Sequence, residues 1–117
     1  MTWHQTHSGR AFSYVDLLEG ANVELDATDI AVSLSRINRF LGHTTHRSWS
    51  VAQHSLTMSA YVAPEHALAA LLHDAAEAYV GDMPAPLRGV MRDLAGRDGV
   101  PSYYEVIEEH VSSAIER

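Results

Sequence analysis

The chain has 117 residues, 46% of them hydrophobic and 20% charged, which suits a single ordinary globular domain. Fifteen Asp and Glu stand against eight Arg, with no Lys, for a net charge of -7. That balance argues against a protein that coats nucleic acid, because nonspecific phosphate binding needs a basic surface. The lack of cysteine excludes disulfide frameworks, thiolate zinc sites and cysteine nucleophiles. No apolar run approaches the ~18 residues of a membrane span. The start, MTWHQTHSGR, has no apolar stretch of the signal-peptide kind, so a cytoplasmic protein with no membrane partner is expected. Eight His is a high count for this length and needs explanation.

In chain order, residues 1–25 carry Gly9, Gly20 and an alternating stretch at Ala11–Val15, which predicts a short strand pair or irregular cover. Asp26 or Thr28 caps a first helix through about Leu41, with apolar Ile30, Leu34, Ile37 and Leu41 at helical spacing. Gly42 ends it, and His43–Trp49 reads as a polar loop that includes His46. Ser50 caps a second helix to about Val62. Pro64 opens a third, which runs to about Val80 and stops at Gly81. Two prolines in Gly81–Pro86 predict a sharp turn. A fourth helix follows over about Ala85–Leu94, and Pro101 opens a fifth to the end of the chain. The predicted architecture is all-α, a bundle of about five helices over residues 1–117 behind an irregular N-terminal segment.

The third helix reads ALAALLHDAAEAYVGD, an Ala/Leu segment expected to be central and buried. His73, Asp74 and Glu77 interrupt it. At ~100° per residue, Asp74 lies ~100° and Glu77 ~40° from His73, so all three share a face. Burying them costs several kcal/mol unless they pair or hold a metal. The plain alternative is an exposed pair of His73 and Glu77 one turn apart. His54, beside Val51 and Leu56 on the second helix, is the next ligand candidate. Two imidazoles and a carboxylate suit one divalent ion of the Mn, Fe, Co, Ni or Zn kind, and Mg less well.

SVAQHS at 50–55 and LLHDAAEAYVGDMPAPLR at 71–88 resemble the HD-domain metal-dependent phosphohydrolases, most closely their compact deoxynucleotidase-like branch. SGRAF at 8–12, DIAVSLSRINRFLGH at 29–43 and the terminal YYEVIEEH extend the resemblance over nearly the whole chain. The resemblance implies an all-α fold and hydrolysis of nucleotide phosphate esters. It implies His54, His73 and Asp74 as metal ligands, and Glu77 and Asp82 as catalytic acids. It also implies Arg39 and Arg88 at the substrate phosphate, and Phe40 at the sugar or base. The family's last ligand, an Asp on a further helix, has no match in 101–117. That leaves three alternatives: a site one ligand short, a ligand from a second chain, or a fold without turnover.

General chemistry fits these roles. Phosphoryl transfer builds charge on equatorial oxygens, which Arg forks and a metal ion meet, and a carboxyl group moves the proton. Structural alternatives stand beside them: surface ion pairs for Arg39 and Arg88, a turn cap for Asp82, core packing for Phe40. The leading expectation is a hydrolase of deoxyribonucleoside 5'-monophosphates. The alternatives are a dNTP triphosphohydrolase with the same site, and a non-catalytic HD-fold module that binds metal or nucleotide. Tyr103, Tyr104, Val106, Ile107 and Val111 form an apolar stripe, read as packing or as an exposed partner surface. A homodimer or higher homo-oligomer is expected from the second reading.

Overall fold

The computed structural model describes residues 2–45 and 47–116, so His46 lies outside the described residues. Strands β1 (Trp3–Gln5) and β2 (Ala11–Ser13) pair antiparallel, with Trp3 opposite Ser13 and Gln5 opposite Ala11. Seven helices follow among the described residues: α1 (Tyr14–Leu18), α2 (Ala27–Arg36), α3 (Val51–Tyr61), α4 (Ala67–Leu72), α5 (Glu77–Val80), α6 (Ala85–Arg97) and α7 (Tyr103–Ile115). Tight 3-10 turns stand at Arg39–Gly42 and Pro64–His66. The fold is mostly helical with one small sheet, and no described helix is long and apolar enough to cross a membrane.

Local chemistry accounts for the helix starts. The Asp26 side chain accepts from the Thr28 and Asp29 amides at the head of α2. Ser50 and Gln53 form a reciprocal capping box on α3. Gly81, at φ 80°, turns the chain out of α5, a backbone angle that costs glycine little.

Two expected helix boundaries need correction, and seven α-helices stand among the described residues where about five were expected. The first helix ends at Arg36, not Leu41, because the chain leaves it to form a bridge between Asn38 and Ser50. The Arg39 amide donates to the Trp49 carbonyl at 2.7 Å, and the Val51 amide to the Ile37 carbonyl at 2.9 Å. The third helix is not continuous over Pro64–Val80. Between α4 and α5 the amides of Ala75, Glu77, Ala78 and Tyr79 each bond to the carbonyl three residues back. Residues 73–76 form a tightened turn of 3-10 character.

The tightened turn sends α5 into the main core. Phe12, Leu17, Ala76, Tyr79 and Val111 are buried together, and the Phe12 ring stacks on Tyr79 with centroids 4.3 Å apart. The Tyr14 hydroxyl donates to the Tyr79 carbonyl. The N-terminal hairpin is therefore structural cover. His4 packs beside Phe12 and Tyr14. Most of the predicted stripe on α7 is packing: Val111 is fully buried and Ile107 joins the core, while Tyr103 stays exposed. α4 also departs from expectation. None of its residues is fully buried, and Leu68 and Leu72 face outward.

The Phe12 stack gives a stability test. Phe12→Ala removes a side chain only 2% exposed and is expected to cost about 3–5 kcal/mol, read from the midpoint of urea unfolding. A cost under about 1 kcal/mol would mean that the hairpin does not hold the core.

Candidate functional site

His54 sits one turn into α3, behind the Ser50 cap, and faces the end of α4. His73 and Asp74 open the tightened turn that follows α4. One donor atom from each of His54, His73 and Asp74 lies within 4.8 Å of the others. The His73 ring is edge-on to His54 with centroids 5.3 Å apart. His73 Nε2 lies 2.9 Å, and His54 Nε2 3.6 Å, from the same Asp74 carboxylate oxygen.

Hydrogen bonds behind the cluster orient the rings. His73 Nδ1 bonds to the Ala70 carbonyl, an acceptor only, so Nδ1 carries the proton. Nε2 is then left facing the Asp74 carboxylate oxygen, and this tautomer is the one a metal ligand uses. His54 Nδ1 lies 3.1 Å from a guanidinium nitrogen of Arg39. Burial first, then the Arg39 charge, makes the His54 imidazole harder to protonate, against the pull of Asp74. The donor set fits a divalent ion of borderline softness. For His54 to offer Nε2 to such an ion, its Nδ1 must take the proton and release Arg39.

Arg39 owes its place to an unusual turn. Phe40 and Leu41 both adopt left-handed backbone angles, φ 58° and 53°, and Gly42 follows at 79°. Two non-glycine residues in that region store strain, which commonly gathers at functional sites. The turn leaves Phe40 exposed, with the Arg39 guanidinium 4.8 Å from its ring centre. Phe40 is therefore not core.

Glu77 lies beyond the turn, at the head of α5. Its Oε2 is buried with no hydrogen-bond partner, so it is not the exposed partner of His73. Burial first, then the charges of Asp74 and Asp82, push the Glu77 carboxyl up to about 8, with Arg39 opposing. Asp82 does not cap the next helix, because α6 starts behind Pro84 with no side-chain cap. Arg39, Phe40, Asp82 and Arg88 instead line one cleft of about 290 Å³. Arg88 reaches that cleft with its fork closed on Glu108, at 2.8 and 2.9 Å, and with Tyr104 against its face. The Glu108 hydrogen bonds, stronger than burial, push its guanidinium still higher.

The structure thus brings His54, His73, Asp74, Glu77 and Arg39 together, and places Asp82, Phe40 and Arg88 at an adjoining cleft. Sequence reasoning missed the contact of Arg39 with His54, which a turn paired to Trp49 creates. It also missed Asp29. That carboxylate is 4% exposed and accepts from Thr6 Oγ1, the Ser8 amide and Ser8 Oγ at 2.7–2.8 Å. Burial raises the Asp29 carboxyl, but these bonds outweigh it and hold the group below its ordinary range. Asp29 and Ser8 tie the hairpin loop to α2. Arg10, in the same SGR segment, pairs with Glu24 at 2.8 Å. The signal for both was a buried-face Asp opposite a Ser-Gly-Arg turn, too general to read alone.

No family model matches the chain. It is 41% identical over 115 residues to YfdR, an uncharacterized protein of Escherichia coli strain K12, covering 98% of this chain and 57% of that protein. It is 36% identical over 97 residues to an uncharacterized protein of Rhodobacter capsulatus, covering 76% of this chain and 48% of that one. The chain spans about half the length of these curated relatives.

The Glu77 carboxyl, faced by Asp74, Asp82, Arg39 and Tyr104, makes a pH prediction for the metal-free protein. Folding raises this group from 4.5 to about 8, so the native state holds the extra proton between those values. Its contribution to stability is present below the lower value and is lost as pH rises to the upper one. Glu77→Gln keeps a neutral group there. Its gain in unfolding midpoint over the wild type is expected to be larger at pH 8 than at pH 5, measured in urea. An equal difference at both pH values would contradict a proton held at Glu77.

Proposed function

We propose that the protein is an HD-domain phosphohydrolase that uses one divalent metal ion to hydrolyse nucleotide phosphate esters, with deoxyribonucleoside 5'-monophosphates as the substrate class. The observation that carries this reading is the convergence of His54, His73 and Asp74 donors within 4.8 Å, beside a Glu77 carboxyl whose Oε2 is buried without a hydrogen-bond partner. Half-buried, crowded acids of this kind have a cost that function explains better than stability does.

A divalent ion held by His54, His73 and Asp74 would supply positive charge to phosphoryl oxygens and acidify water. Arg39, once released from His54, turns its fork to the phosphate in the adjoining cleft. Phe40 offers an exposed ring to the sugar or base. Water attacks phosphorus, the ester P–O bond breaks, and the leaving oxygen takes a proton. Glu77 and Asp82 are the carboxyls that move those protons. Arg88, closed on Glu108, braces the cleft, so one free guanidinium remains for the phosphate. That supply of charge favours a monophosphate over a triphosphate.

The test is phosphate release from deoxyribonucleoside mono- and triphosphates by metal-stripped protein, with Mn, Co, Ni, Zn or Mg added back. Release is expected with a transition metal, from monophosphates, and lost in His73→Ala. Glu77→Gln is expected to lower kcat by about 10²–10⁴ while the protein still binds metal. Inorganic triphosphate released from triphosphates would move the substrate class. Folded protein that is silent with every metal would leave a binding module in place of an enzyme.

A further inference from the structure

The loop that carries Asp82 into the cleft has little of its own to hold it. Residues 81–84 belong to no helix or strand and run between the end of α5 and the start of α6. The Asp82 side chain is half-buried and makes no hydrogen bond or ion pair among the described residues. Its position is therefore set by the backbone on either side of it.

α7 grips that backbone at both ends. The Tyr104 hydroxyl is shared between the Val80 and Gly81 carbonyls, 3.0 Å from each, and Gly81 is the residue before Asp82. Burial first, then the charge of Glu108, push this hydroxyl up to about 12 against the pull of Arg88, so it stays a donor at neutral pH. One turn further along α7, on the same side of the helix, Glu108 accepts from both terminal nitrogens of Arg88 at 2.8 and 2.9 Å. The Arg88 guanidinium lies 5.3 Å from the centre of the Tyr104 ring, which joins the two grips. Two other hydroxyls hold α5 by its carbonyls, but further from Asp82: Tyr14 donates to Tyr79, and Ser33 to Ala78 at 3.1 Å.

We propose that Tyr104 is a positioning residue, which acts through the Gly81 carbonyl to set the Asp82 carboxylate in the cleft it shares with Arg39. The inference rests on the hydrolase reading above, in which Asp82 moves a proton. A group in that role must stand within hydrogen-bond reach of the oxygen it serves. A side chain with no partner of its own gains that precision from its backbone, and here the backbone is referenced to α7. Glu108 fixes the far end of the same cleft wall through Arg88, so Tyr104 and Glu108 together set the span from Gly81 to Arg88. Arg39 stands on the opposite wall, on a turn bonded to Trp49, and owes nothing to α7. Loss of the Tyr104 hydroxyl therefore moves the proton-transfer group and leaves the phosphate-binding group in place.

Tyr104→Phe keeps the ring against Arg88 and removes only the hydroxyl. In metal-loaded protein with a deoxyribonucleoside monophosphate, kcat is expected to fall about tenfold while KM stays within about twofold. On an Asp82→Asn background, whose turnover is lowered but carried on by Glu77, the same substitution is expected to change kcat by less than about twofold, because the group it positions no longer moves a proton. Tyr14→Phe removes a comparable bond from α5 and is expected to leave kcat within about twofold of the wild type. Each variant is checked for unchanged helical circular dichroism. Full kcat in Tyr104→Phe overturns the positioning role and leaves the hydrolase reading standing. So does an equal loss on the Asp82→Asn background, which places the effect elsewhere, or an equal loss in Tyr14→Phe, which makes it a general loosening of α5. A folded wild type that is silent with every metal overturns both.

Discussion

The tightened turn over residues 73–76 governs both halves of the molecule. By drawing amides onto carbonyls three residues back, it ends α4 and swings α5 into the core. One consequence is structural: Tyr79 meets Phe12, and the N-terminal hairpin gains something to cover. The other is chemical. His73 and Asp74 stay at the surface of the turn facing His54, while Glu77 goes under. A regular helix would have kept Asp74 and Tyr79 on fixed positions of one cylinder and served one purpose less well.

Electrostatics around that turn are unbalanced. Asp74, Glu77 and Asp82 crowd together, and the opposing charge that reaches Glu77 is Arg39. Arg39 is meanwhile engaged with His54. The second arginine of the cleft is committed to both oxygens of Glu108, and Arg92 pairs with one oxygen of Glu105 at 2.7 Å, also between α6 and α7. At this pocket Arg39 rests on an imidazole, whereas Arg88 is held by a carboxylate.

Much of this was legible in the residues. Caps at Asp26 and Ser50, the prolines at 64 and 84 and the glycine at 81 marked real boundaries, because capping is local chemistry. His73 and Asp74 were legible because ionisable side chains in an Ala/Leu helix demand a reason, and His54 entered as the next candidate on the neighbouring helix. What escaped was set by distant partners. The early end of α2 at Arg36 depends on a bridge to Ser50. Ala and Leu favour helix throughout 67–78, so nothing local announces the tightened turn. The pairing of Arg88 with Glu108 joins residues 20 apart, and the exposed side of α4 reads in sequence as interior.

The central claim is that three converging donors make a divalent-cation site. Calorimetric titration of metal-stripped protein with manganese or zinc tests it directly, with His54→Ala and Asp74→Asn run beside the wild type. The account predicts one ion bound per chain and binding weakened at least about tenfold in each variant, the scale of losing one ligand. Equal binding in all three proteins, or none in the folded wild type, would contradict it.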